Sequence, residues 1–184
     1  MKLSRGPLLA SLLAVALAAH ATPLKTDAAH SSVAAVFKQM NVPVEAKFKK
    51  FNAQIDYDPA KPDAAKASVE IETASLDLGE AEMNKEVAKK EWFNAAQFPK
   101  ASFVSSGIKS AGPGKLNVSG KLTIKGKASD VSFPLTVKAE GGKQVFEGAL
   151  PIKRLAYNIG EGEWKDTSMV ADDVVIKFRV TAAQ

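Results

Sequence analysis

The chain has 184 residues, 46% of them hydrophobic and 24% charged, with a formal net charge of +5, two histidines and no cysteine. That length and balance fit one folded domain and exclude a disordered, collagen-like or coiled-coil chain. The missing cysteines remove disulfide frameworks, thiolate metal sites, cysteine nucleophiles and a thioether lipid anchor, and two histidines leave little material for a metal site or a triad.

Residues 1–21 read as a secretory signal peptide. Lys2 and Arg5 supply the positive start, residues 7–19 the apolar stretch, and Ala19-His20-Ala21 the small-x-small cleavage pattern. The apolar stretch falls short of the ~20 residues that a membrane-spanning helix needs. The expected product is an exported protein cut after Ala21, a single domain over residues 22–184 in which His30 is the one histidine.

Beyond the leader the hydrophobic pattern has period two, the signature of strands with one buried face. Val42, Val44, Ala46 and Phe48 share a face. The parity then slips, and Phe51, Ala53, Ile55 and Tyr57 continue on odd positions, which predicts a bulge or bend at Lys49-Lys50. Val69, Ile71 and Thr73 alternate with Glu70 and Glu72. Residues 80–90, rich in Ala, Glu, Lys and Met with Met83 and Val87 four apart, predict the one helix, between the third and fourth strands.

Alternation resumes over 116–124 and 131–137, where Pro134 argues against a central, fully paired position. Glu140-Gly141-Gly142-Lys143 marks a hairpin into 145–152, and 174–180 closes the chain. With 32–40 and 101–110 added, about eight antiparallel strands make an all-β barrel or sandwich. The long strands and the parity slip favour the barrel, whose interior at eight strands holds one small ligand.

Asp27, His30 and Ser31 invite a triad, but neighbours in an extended chain point to opposite faces, so His30 and Ser31 diverge. A cap holding the first strand through side-chain-to-backbone bonds is expected instead. Glu161, Glu163, Asp166, Asp172 and Asp173 fit no calcium loop and suit a solvated loop that pairs with Arg154. Lys47, Lys49, Lys50, Lys121, Lys125, Lys127 and Lys138 are expected on the outer wall, without the interleaved aromatics of a nucleic-acid binder. Ala46, Ala53, Gly120 and Gly148, among large inward rings, are expected to leave space for a ligand.

A set of blocks in fixed order resembles the YceI family of exported lipid-binding proteins. They are Asp27-Ala-Ala-His-Ser31, Phe48-x-x-Phe51, Ile55-Asp-Tyr-Asp-Pro59, Ala74-Ser-Leu-Asp-Leu-Gly79 and Trp92-Phe93-Asn94 with Phe98-Pro99-x-x-x-Phe103. Gly120-Lys-Leu-Thr-Ile-Lys-Gly126, Val131-x-x-Pro134, Arg154 with Tyr157-x-Ile-Gly160, and Asp172-x-Val174-x-Ile176 complete the series.

The resemblance implies a lipocalin-like, eight-stranded antiparallel barrel with an apolar tunnel, holding a polyprenyl lipid, an isoprenoid quinone or a similar amphiphile in the periplasm. The wall candidates are Phe48, Phe51, Ile55, Ile71, Phe103, Leu122, Ile124, Phe133 and Phe146, and the rim candidates Trp92, Phe93 and Tyr157. No catalytic residue, metal or cofactor is expected. The expected partners are the lipid itself and a transient contact with a membrane surface, with a homodimer as a further option and no nucleic acid. The alternative is an interaction module with a filled core, tied to envelope stress, and an enzyme acting on the bound lipid ranks third.

Overall fold

The parity slip at Lys49-Lys50 is where one stave of the barrel breaks. In the computed structural model, which describes residues 23–183, the apolar face runs along β3 (Val42–Phe48) and resumes in β4 (Phe51–Asp56). The neighbouring stave breaks opposite it: β1 (Pro23–Thr26) pairs with β4, a 3-10 turn (Ala28–His30) intervenes, and β2 (Ser32–Gln39) pairs with β3. Then come β5 (Lys66–Glu72), the short β6 (Leu76–Asp77) and the helix α1 (Ala81–Val87). The remainder is a meander of β7 (Lys100–Ser110), β8 (Lys115–Ile124), β9 (Lys127–Glu140), β10 (Lys143–Lys153) and β11 (Val170–Ala183). The signal-peptide reading lies outside the described residues.

The sheet order is β1-β4-β5-β7-β8-β9-β10-β11-β2-β3-β6, and β1 also pairs with β11. With β1/β2 and β3/β4 each counted as one broken stave, eight antiparallel staves close into a barrel. Every edge but that of β6 finds a partner along at least part of its length, which is how a closed sheet escapes edge-to-edge association.

The helix follows β6, a correction to its expected place between the third and fourth strands. Two staves each break in two, and the 3-10 turn Thr73–Ser75 sets off β6, so the chain has more strands before the helix than a period-two reading counts. The helix is also shorter than the 80–90 expected. The Phe93 amide donates to the Val87 carbonyl at 3.0 Å and folds the chain back at that point.

Pro134 lies where its missing N–H costs least. The β9–β10 ladder stops at Leu135↔Gly148, while β8 still pairs along the rest of β9, including Asn117↔Pro134. On the inner face, Phe133 stands 5.5 Å from both Phe103 and Phe178, ring centre to ring centre. Gly120 and Gly148 do not leave open space as expected: a Cβ at Gly120 would collide with the Phe103 ring, and one at Gly148 with the Phe178 ring. They make room for their neighbours' rings. Six of the seven lysines assigned to the outer wall are exposed. The seventh, Lys125, is 7% exposed.

Candidate ligand-binding site

Two apolar cavities lie inside the barrel and share Ile124 and Ile176 as walls. The first, about 250 Å³, lies against α1 and is walled by Phe37, Leu78, Met83, Trp92 and Trp164 among others. The second, about 130 Å³, is walled by the three-ring layer of Phe103, Phe133 and Phe178 with Ile55, Val69 and Phe146. Period-two strands aim these side chains inward. In α1, Met83 and Val87 reach the first cavity from one face, as their i, i+4 spacing dictates.

Two cations organise the end of the barrel that holds the first cavity. Lys125 and Gly126, with φ of 48° and 73°, form the left-handed turn of the β8–β9 hairpin. The Lys125 ammonium donates to the Lys90 carbonyl at 2.7 Å, the Asn158 carbonyl at 2.8 Å and the Glu161 carboxylate at 2.8 Å. It thereby joins the hairpin, the segment after α1 and the loop after β10. Lys125 holds the Glu161 carboxyl below the usual carboxylate range.

Arg154, 2% exposed, opens the 3-10 turn Arg154–Tyr157. Its five N–H groups go to main-chain carbonyls: Nε to Ala171, Nη1 to Ile159 and Gly160, Nη2 to Trp164 and Val170. The guanidinium also lies 5.7 Å from the centre of the Trp92 ring. Burial pulls its pKa below the ordinary guanidinium value, and the nearby Asp172 charge only partly offsets this. Arg154 therefore serves carbonyls, in place of the carboxylates expected to pair with it. Those carboxylates go elsewhere: Asp172 accepts the Leu155 amide, Asp173 pairs with Lys153, and Asp166 accepts the Ser168 amide.

Of the residues singled out in the sequence, Ile55, Ile71, Phe103, Leu122, Ile124, Phe133 and Phe146 line the second cavity, and Trp92, Phe93 and Ile124 the first. Phe48, Phe51 and Tyr157 line neither. Phe48 packs edge-on against Phe93 at 6.2 Å, and Tyr157 is buried in the core at 3% exposure. Phe51 borders a separate polar recess with Lys49, Lys50, Glu70 and Lys100. Phe37, Ile152, Val174, Ile176 and Phe178 are walls that the candidate set missed. Parity on β2, β10 and β11 marks them as inward, the same signal that picked out Leu122 and Ile124. Trp92 carries a further peculiarity: its indole Nε1 is buried with no hydrogen-bond partner.

Asp27, His30 and Ser31 form a structural clasp. The Asp27 carboxylate binds His30 Nδ1 at 2.9 Å and Lys143 Nζ at 2.6 Å, and these partners hold its pKa at about 2. The Ser31 hydroxyl donates to the Asp27 carbonyl at 2.6 Å and accepts the Thr181 amide at 2.9 Å. Thr181 Oγ1 donates in turn to the His30 carbonyl, so the break between β1 and β2 is tied to β11. Ser31 is spent on backbone and His30 stands largely in solvent.

Comparison with known proteins places this geometry. The structure resembles BcnA of Burkholderia cenocepacia, at 56% identity over 86% of this chain and 100% of that one, with a TM-score of 0.84. It shares its fold with a YceI protein of Campylobacter jejuni (24% identity, 77% of this chain and 85% of that one, TM-score 0.71). A polyisoprenoid binding domain from Saccharophagus degradans, implicated in plant cell wall breakdown, has the same fold at 17% identity over 89% of this chain and 99% of that one, with a TM-score of 0.71. A UPF0312 protein of Pseudomonas putida (strain W619) is 38% identical over 98 residues, 53% of this chain and 51% of that protein. The chain thus spans about half the length of the curated relatives it matches. The YceI-like domain model matches residues 24–182, nearly all of the described barrel, and the chain belongs to the YceI family.

Proposed function

We propose that the protein is a periplasmic carrier that takes a long-chain isoprenoid, with an uncharged quinone or alcohol head, into its two cavities. The observation that carries this reading is the pair of apolar chambers meeting at Ile124 and Ile176. Cavities of about 150 Å³ lined by Leu, Ile and Phe already hold benzene. A chain threading past Ile124 and Ile176 would fill both chambers. Ten buried CH₂ groups supply roughly 8 kcal/mol, near micromolar affinity before ordering costs. The polyisoprenoid binding domain of Saccharophagus degradans, alike in fold, supports the ligand class.

Charge supports the uncharged head. Only Glu86 and Arg154 among the lining residues bear a formal charge. Arg154 has given its donors to carbonyls, and Glu86 pairs with Lys89. A phosphate drawn inside would lose its water with no free cation to meet it, at a cost of several kcal/mol. A carbonyl or hydroxyl oxygen would instead satisfy the Trp92 N–H. Binding of this kind needs no covalent step, and the leader-like residues 2–21 support export.

Organic extraction of the purified protein followed by mass spectrometry tests the reading, together with titration of added quinones, polyprenols and polyprenyl phosphates. Recovery of a neutral isoprenoid, and preference for it over the phosphate, is the expected result. No extracted amphiphile and no binding of any added one would overturn it in favour of a surface-acting interaction module.

A further inference from the structure

The β2–β3 hairpin turns on Met40 and Asn41, both left-handed at φ 47° and 65°. Such a turn favours Asn, Asp or Gly, and Met gains nothing there from its backbone. Nor is it buried: Met40 and Val42 are each 62% exposed and Met169 is 45% exposed, three of the four large hydrophobic side chains that stand most open among the described residues. Met40 and Met169 lie side by side, the Met40 amide donating to the Met169 carbonyl at 2.8 Å, and Val42 follows on the other arm of the hairpin, paired with Gln39. One step inward from them, Gln39 and Val170 pair in register and line the first cavity.

The patch is thus the lip of a chamber. Residues 40–43 and 167–170 carry no charge, while Lys38 beside them is exposed and, among the described residues, joins no ion pair. Three side chains cannot cover the ~800 Å² per partner that a stable protein interface needs. They do match the shallow apolar insertion, flanked by a cation, that holds proteins at a bilayer surface.

We propose that Met40, Val42 and Met169 enter the headgroup layer of a lipid bilayer and seat the mouth of the first cavity against it. Docking gives an isoprenoid a path between bilayer and chamber that does not cross water. The path rests on the carrier reading above; the docking itself does not.

The test is flotation of the whole protein with vesicles of phosphatidylethanolamine and phosphatidylglycerol free of isoprenoid. Met40→Asn combined with Met169→Ser keeps a turn-compatible residue at position 40, and its thermal melt serves as the folding check. The double variant is expected to lose about five-fold or more of its vesicle partitioning, as the loss of two inserted side chains implies. Val104→Asn, at an exposed apolar residue on β7, is expected to change nothing. Solution affinity for decylubiquinone should be equal in native and variant protein, while transfer from quinone-loaded vesicles slows in the variant. Partitioning of the double variant within two-fold of native overturns the proposal. So does a native dimer that the double variant dissolves while vesicle binding stands. Native protein that partitions by this lip yet binds no decylubiquinone upholds the docking and sinks the carrier reading instead.

Discussion

Lys125 and Glu161 are paired at 2.8 Å, the lysine side chain 5% exposed and the carboxylate 41%. The pair joins the β8–β9 turn to the loop after β10, at the end of the barrel that holds the larger cavity. A buried ammonium shared with two carbonyls is costly to replace, because its acceptors are then left without a donor. Lys125→Met is expected to lose about 2 kcal/mol or more, read as a shift in the urea midpoint. Glu161→Gln should lose less, since that side chain reaches solvent and its amide oxygen still accepts.

Ile176 is the place to separate the chambers. Ile176→Trp is expected to narrow the passage that Ile124 and Ile176 form. Affinity for a long-chain quinone should fall about tenfold, some 1.4 kcal/mol, with a short-chain analogue little affected. Overpacking itself costs about 1–3 kcal/mol of stability, so a denaturation curve belongs beside the titration.

Phe133→Ala should act in the opposite sense. The ring touches Phe103 and Phe178 and is 8% exposed, so its removal is expected to cost about 3–5 kcal/mol. The space it leaves should admit a larger apolar fluorescent probe, visible as greater probe emission at saturation.

Asp27 sets an acid limit. Its pKa is lowered from 3.8 to about 2 by hydrogen bonds from Lys143 and His30, so the charged form is favoured by folding. The stability it contributes is present above pH 3.8 and is lost as pH falls through about 2. Thermal melts between those values should fall steeply for the native protein and more shallowly for Asp27→Asn. Lys143→Met should shrink that fall and end it at higher pH, because the folded-state value then lies closer to 3.8.

The barrel was legible because its strands are half-buried. Val42–Phe48 and residues 116–124 state in their alternation which face turns inward, and the slip at Lys49-Lys50 marks the broken stave. Lys125 escaped that logic because it sits at a hairpin turn, where a left-handed backbone ends the alternation. Arg154 escaped it because its acceptors are backbone atoms up to 17 residues away, and backbone carbonyls have no sequence signature. The chambers were legible only in kind. Alternation shows which residues face in, yet a filled interior and a hollow one have the same period. The space depends on ring placement, as Gly120 and Gly148 demonstrate by yielding theirs to Phe103 and Phe178.

Pro134 carries a consequence for how the wall behaves. Below Leu135↔Gly148, β9 and β10 run on without a shared ladder, and the Arg154–Tyr157 turn lies alongside β9 there. A proline at the first step past the junction has no amide hydrogen to extend the zipper. The end of the pairing at this seam is therefore written into the covalent chain, however tightly the remaining seams are laced.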